Sequence, residues 1–228
     1  MSIKVCVFDA YGTLFDVGAA ARIAAGEDGR DALAAKWTDV AEFWRQKQLQ
    51  YTWLRAITGD HTDFWTVTQN GLDWALERTG LDGDLELRER LLALYWELQV
   101  YKDVPMMLAQ LKAAGLQTAI LSNGSPDMLD GAVSSAGIET FLDEVLSVQD
   151  VGVFKPNAKV YQMVLDRFSC TADEVLFVSS NGWDAAAASG FGFETVWANR
   201  SGEPMDRLFA QPHHVRSDLT DIPKLAGV

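Results

Sequence analysis

Cysteine is scarce. The 228 residues hold two, Cys6 and Cys170, far apart in the chain. Neither sits at metal-binding or paired spacing, so a disulfide framework and a cysteine metal site are both excluded. Both read as buried thiols in a reducing compartment. Long apolar runs are missing too, and nothing approaches the roughly 20 residues that span a bilayer. The amino terminus opens straight into a strand pattern, with no charged-then-apolar leader. A cytoplasmic enzyme is the expectation. Positive charge is also in short supply: 19 Lys and Arg face 32 Asp and Glu, a formal net charge of −13. A surface of that sign argues against nucleic acid or anionic membrane as a partner. Any site for an anion must then build its own local positive charge. Repeats, low-complexity stretches and long flexible linkers are absent. What is present, 48% hydrophobic and 22% charged residues, is ordinary for a globular protein. The length suits one sizeable α/β domain, or a core with a smaller insertion.

The chain is organised around Ile3 to Asp16. From Ile3 to Phe8 every residue but Lys4 is apolar, and Val and Ile dominate, which predicts a buried strand. It stops at Asp9, and Gly12 then breaks the chain. A carboxylate at the carboxyl end of an early buried strand stands where open α/β sheets place their chemistry. Asp also caps turns, so Asp9 alone does not decide the matter.

After Asp16 the pattern turns helical and stays so to about Tyr101. Trp37, Val40, Ala41 and Trp44 recur at helical spacing, as do Leu49, Trp53 and Ile57, and Gly59 with Asp60 ends the run. Further helices fit Phe64 to Arg78 and Leu85 to Leu98. Six of the eight tryptophans, Trp37 to Trp96, lie here, and most are expected to fill the core of a small bundle. Beyond Lys102, helices and strands alternate. Helices fit Val104 to Ala114, Pro126 to Ala136 and Ala158 to Phe168, and an alanine-rich one follows Asp184. Strands fit Gln117 to Leu121, Glu144 to Ser147, Val175 to Ser179 and Thr195 to Ala198. A short strand near His214 and a final helix close the chain. His213 and His214 lack a third ligand at useful spacing. Alternation of this kind implies a parallel sheet with right-handed crossovers. The expected fold class is therefore α/β: a Rossmann-like core over residues 1–16 and 101–228, with a helical cap inserted over residues 17–100.

Four strand ends carry chemistry-capable side chains: Asp9 with Thr13, Ser122 with Asn123, Lys155, and Ser179 with Asn181 and Asp184. Ends of parallel strands face one crevice. The Asp9-Ala10-Tyr11-Gly12-Thr13-Leu14-Phe15-Asp16 string after a hydrophobic strand resembles the first motif of the haloacid dehalogenase superfamily. The other three groups match its remaining motifs in order, so the resemblance covers nearly the whole chain. Two departures from the superfamily's phosphatases select a branch. Tyr11 stands where they carry a second aspartate as general acid. Asn181 and Trp183 precede a lone Asp184 where they cluster acidic residues to hold magnesium, which wants several oxygen ligands. A departing halide needs neither a general acid nor a metal. Arg45 to Arg55, Ser122 to Ser125 and Ser179 to Asp184 look like the motifs of L-2-haloacid dehalogenases.

That resemblance implies a hydrolase with no metal and no cofactor. The implied substrate is a short (S)-2-haloalkanoate or haloacetate, released as an (R)-2-hydroxy acid or glycolate with halide. Asp9 is the implied nucleophile and passes through an ester. The Ala10 backbone, Ser122 and Asn123 hold the substrate carboxylate near a helix amino terminus. Arg45, Asn123 and Trp183 cradle the halide, and Asn181 with Asp184 positions and activates the hydrolytic water. Lys155 keeps Asp9 ionised and is held in turn by Asp184, while Thr13, Tyr161 and Ser179 support Asp9 and Lys155 by hydrogen bonds. Tyr11, Gln46, Leu49, Phe64 and Trp183 resemble the family's pocket wall. A homodimer built partly from cap helices is implied as well. The rival reading is a magnesium-dependent phosphatase of the same fold. A non-catalytic binding module is disfavoured by the intact Asp9, Thr13, Lys155 and Asp184.

Overall fold

A computed structural model describes residues 2–228. Six strands form one parallel sheet: β1 (Val5–Phe8), β2 (Gln117–Ser122), β3 (Glu144–Ser147), β4 (Val175–Ser179), β5 (Glu194–Ala198) and β6 (His214–Arg216). Their order is β3-β2-β1-β4-β5-β6. β1 and β4 lie side by side at the centre and are buried along their whole length, because helices cover both faces of such a sheet. The order runs leftward from β1 through β2 to β3 and rightward from β4. The reversal between β1 and β4 opens a crevice at their carboxyl ends. Asp9 leaves β1 there, and Asn181 follows β4.

Between β1 and the rest of the sheet lie five helices: α1 (Ala19–Ala25), α2 (Asp31–Ala34), α3 (Trp37–Thr58), α4 (Phe64–Thr79) and α5 (Leu85–Trp96). The sequence periodicity placed the last three within two residues of their ends. α1 and α2 are too short to show a period, and fell inside the stretch expected to be helical. The chain leaves and re-enters the sheet at one place: the Asp16 N–H donates to Gln99, and the Tyr101 N–H to Leu14. α3 and α4 form the main helical pair. Gly71 allows their close approach, since a Cβ there would stand 3.3 Å from Trp44 and from the α3 backbone. The remaining helices, α6 (Val104–Ala113), α7 (Pro126–Ala136), α8 (Ala158–Phe168), α9 (Gly182–Phe191) and α10 (Ile222–Leu225), pack around the sheet.

The tryptophans correct one expectation. Of the six from Trp37 to Trp96, only Trp44 is buried. The others are half-buried on the flanks, where Trp65 meets Trp96 at a tilt and Trp74 meets Phe43 and the Lys47 ammonium. The inward stripe of α3 is instead Val40, Trp44, Gln48 and Thr52. An indole has a polar N–H that must find an acceptor when buried, and only Trp44 finds one, the Thr68 carbonyl at 2.8 Å. Cys6 is buried, and its thiol is pushed up to about 12 by that burial. Cys170 is only half-buried, so one of the two thiols departs from expectation. Among the described residues no helix is long and apolar enough to cross a membrane.

Candidate active site

β1 delivers Asp9 to the crevice, and the turn that follows folds back on it. Gly12 takes a φ of +90°, a conformation that costs glycine little and other residues more. A Cβ at Gly12 would also come within 3.0 Å of Ser180 Oγ. The turn brings Thr13 back so that its hydroxyl donates to Asp9 Oδ2 at 3.0 Å and accepts from the Ser180 N–H at 2.7 Å. Ser180 was named in the sequence only as part of a motif. It is the link between the loops after β1 and β4.

Asp9 is 6% exposed and Lys155 1% exposed. Lys155 Nζ lies 3.1 Å from Asp9 Oδ1 and 2.8 Å from Asp184 Oδ2. The other Asp184 oxygen accepts from the Tyr161 hydroxyl at 2.7 Å. Burial works to lower the Lys155 pKa, but the Asp184 and Asp9 carboxylates outweigh it and the ammonium is held above its usual range. Burial raises the Asp184 carboxyl while Lys155 pulls against it. Burial, reinforced by Asp184, pushes Tyr161 well above the usual phenol, so Tyr161 stays a neutral donor. Asn181 completes the set: its Nδ2 donates to Asp9 Oδ2 at 3.1 Å, and its Oδ1 accepts from Arg45 Nη2 at 3.2 Å. Arg45 Nη2 also reaches the Tyr11 carbonyl at 2.9 Å. The helical insert thus lays one arginine across the crevice.

Asp9, Tyr11, Arg45, Leu49, Phe64, Ser122, Asn123, Lys155, Asn181 and Trp183 line a tight cavity of about 10 Å³. Cavities for drug-sized ligands run from about 300 Å³ upward, so this closely packed one excludes large molecules. Its apolar wall is layered. The Tyr11 ring stacks on Tyr95 at 5.5 Å and meets Phe64 at 5.6 Å. Trp183 abuts Trp53 edge-on at 5.4 Å. Two buried polar atoms in this wall, Tyr11 Oη and Trp183 Nε1, have no hydrogen-bond partner within the protein. Ser122 and Asn123 have internal tasks as well as cavity surface. Ser122 Oγ accepts from the Gly124 N–H, and Asn123 Oδ1 accepts from the Lys155 N–H. Ser179 is buried behind the cavity, where it accepts from the Asn181 N–H. Ala10 is buried beneath the loop, and its carbonyl anchors the turn by accepting from Thr13, Leu14 and Phe15.

Two expected members are placed elsewhere. Gln46 is exposed and donates to Glu42 one turn back. Arg45 and Leu49, four apart, share the helix face toward the cavity, and Gln46 lies about 100° round from Arg45. Asp184 is fully buried, with both oxygens engaged by Lys155 and Tyr161. It stands behind Lys155 rather than in the cavity wall, so it holds the lysine and has no free oxygen to activate a water. The sequence reading also missed Tyr95 and Gln48, which bond each other behind Tyr11. The available signal was a lone polar Gln48 in the inward stripe of α3.

The donor set does not fit a divalent cation. The only two carboxylates here already share an ammonium, and a magnesium ion needs oxygen ligands on all sides. No cluster of three or more His, Cys, Asp or Glu suited to a metal occurs among the described residues. His213 and His214 are occupied with Thr195 and Glu194.

Comparison with known proteins agrees with this geometry. The haloacid dehalogenase-like hydrolase family model matches residues 3–192. The chain is 44% identical to (S)-2-haloacid dehalogenase 1 of Pseudomonas sp. (strain CBS-3), covering 98% of this chain and 96% of that one. It is 41% identical to (S)-2-haloacid dehalogenase 4A of Burkholderia cepacia, over 99% of this chain and 96% of that one. A solved L-2-haloacid dehalogenase from Xanthobacter autotrophicus, with chloropropionic acid covalently bound, superposes with a TM-score of 0.84 at 37% identity, covering 98% of each chain. With one carboxylate and its ammonium partner at the switch point of the sheet, and with relatives that match end to end, the chain belongs to the haloacid dehalogenase-like hydrolases, in the branch of the (S)-2-haloacid dehalogenases.

Proposed function

We propose that this protein hydrolyses short (S)-2-haloalkanoic acids or haloacetates to (R)-2-hydroxy acids or glycolate and halide. The observation that carries the reading is the single carboxylate of Asp9, held by Lys155, Thr13 and Asn181 at the floor of a small, mostly apolar cavity. An Asp9 oxygen attacks the halogen-bearing carbon from behind, the carbon–halogen bond breaks, and an ester forms with inversion. The covalently bound chloropropionic acid in the Xanthobacter relative supports a covalent route.

Arg45, Asn123 and Trp183 receive the halide as its charge develops, and donors aimed at developing charge lower the barrier. The unpartnered Trp183 N–H suits this. The substrate carboxylate lies against Ser122, Asn123 and the main chain after Asp9. Tyr11, Leu49 and Phe64 bound its side chain. Water then attacks the Asp9 ester carbonyl. Lys155 Nζ and Asn181 Nδ2, already 3.1 Å from the Asp9 oxygens, are in place to stabilise the resulting oxyanion. The acyl C–O bond then breaks; one water proton goes to the departing hydroxy-acid oxygen, the other to solvent, and the Asp9 carboxylate is restored. Asp184 and Tyr161 hold Lys155 ionised, while Thr13 and Ser179 steady Asp9 and Asn181. The reaction runs with no metal and no cofactor.

The same reading divides the chain into an α/β core of residues 1–16 and 101–228 and a helical cap of residues 17–100. It also places the protein in the cytoplasm, which its free thiols suit, as a homodimer. An exposed apolar patch supports a second copy: Ile57 on α3 and Phe209 are 82% and 81% exposed beside Trp53 and Leu208.

Halide release from L-2-chloropropionate in the presence of a chelator, with D-lactate as product, tests the proposal. Single turnover in heavy-oxygen water should leave the product unlabelled, because its new oxygen comes from Asp9. Phosphomonoester turnover that requires magnesium, with no halide released, would mean the rival phosphatase reading is correct.

A further inference from the structure

One partly buried ion pair outside the cavity sits where the chain crosses between the sheet and the helical insert. Arg200, two residues past β5, donates through Nη2 to the Thr13 carbonyl at 3.1 Å and to Asp103 Oδ2 at 3.0 Å. Its Nη1 reaches Asp103 Oδ1 at 3.3 Å. The guanidinium carbon lies 3.9 Å from the centre of the Tyr101 ring. Asp103 in turn accepts from the Leu219 N–H at 2.7 Å. Side-chain exposure is 16% for Arg200 and 12% for Asp103.

The guanidinium therefore joins the loop after β1, the re-entry segment at Tyr101 and Asp103, and the exit from β5. Thr13 is gripped at both ends. Its carbonyl is held from outside by Arg200, and its hydroxyl points inward to Asp9 Oδ2 and the Ser180 N–H. A planar fork stacked on an aromatic ring and paired with a carboxylate fixes direction as well as charge, which a lysine ammonium does not. Rotation of the Thr13 peptide would turn its hydroxyl off Asp9, and small misplacements of a reacting group are costly in rate.

We propose that Arg200, locked by Asp103, is a positioning residue for Thr13 and, through Thr13, for the attacking carboxylate of Asp9. This rests on the displacement by Asp9 proposed above. Arg200→Lys and Asp103→Asn should each slow ester formation about tenfold in single turnover, followed by intact protein mass. KM should stay within about threefold of wild type. In a Thr13→Val background, Arg200→Lys should cost less than about twofold more, because residues acting through one another are not additive. Unchanged ester formation overturns the proposal. So does a full further loss in the Thr13→Val background, or a raised KM at constant kcat, which would mark a direct substrate contact. Hydrogen exchange of residues 10–16 in the same variants needs no reaction. It should quicken several-fold in Arg200→Lys, and exchange equal to wild type overturns the proposal even if the wild-type protein releases no halide.

Discussion

The carboxyl edge of the sheet and the helical insert handle charge in opposite ways. At the sheet edge, Asp9, Lys155 and Asp184 are nearly or fully buried, and each has two or more partners. In the insert, charged pairs such as Arg88 with Asp73 and Arg30 with Asp84 are only partly buried, with the carboxylate reaching solvent, and aromatic contacts fill the inside. Parallel strand ends fix several side chains at once, so a buried charge there can be matched on every side. A helix presents one face, and can spare a charge inward only when the opposite surface supplies acceptors. Arg45 is that exception, held by the Tyr11 carbonyl and Asn181. The sheet edge thus supplies the reacting charge, and the insert supplies the walls and one counter-charge.

The comparison is broken hardest at Asp9. Asp9→Ala should reduce halide release at least about 10⁴-fold, as loss of a nucleophile does, while circular dichroism shows the fold intact. Residual release near wild type would refute the assignment of the nucleophile. Lys155→Met removes the shared cation and leaves two carboxylates unpaired. A loss of about 3–5 kcal/mol in denaturant unfolding is expected, with activity down about 10³-fold; equal stability in variant and wild type would show that Lys155 is not paired as described.

The same lysine sets a pH window. Its folded pKa lies above its unfolded value, so its contribution to stability is complete below the unfolded pKa of about 10.4 and is lost as pH rises through the folded value. Unfolding scans should show no lysine-dependent loss up to about pH 10; a wild-type transition below that pH that is absent in Lys155→Met would contradict it.

On the insert side, Arg45→Lys should lower kcat about 10²-fold with unfolding unchanged. The smallest effect should come from Arg88→Met, whose half-exposed pair with Asp73 is partly screened by solvent and is worth about 1 kcal/mol. A larger loss there would erase the contrast between the two regions.

Much of this was legible in the chain. The apolar run before Asp9, the glycine after it and the helix–strand alternation beyond Lys102 are local patterns, and the structure follows them. Arg45 and Leu49 were legible as cavity residues because a motif carried them. Gln46 was misplaced because the same motif says nothing about helix phase, which packing against α4 decides. The tryptophans were misread because composition does not show which indole N–H finds an acceptor. Arg200 and Asp103 carry no local signal at all. Their partners at Thr13 and Leu219 are remote in sequence, and only folding makes them neighbours.

By itself, then, the order of residues settled which segments become strands, where the first five stop to within one residue, and that one carboxylate ends the first of them. Tertiary structure decided which oxygen of Asp9 meets Lys155 and which meets Thr13 and Asn181, that both Asp184 oxygens are taken up by Lys155 and Tyr161, and that Arg45 is the one charge the insert brings to the cavity. The reason is range. Backbone pattern is written by near neighbours, whereas a buried charge is stabilised by partners 146 and 172 positions away along the chain, brought within hydrogen-bond distance only when parallel strands align their ends.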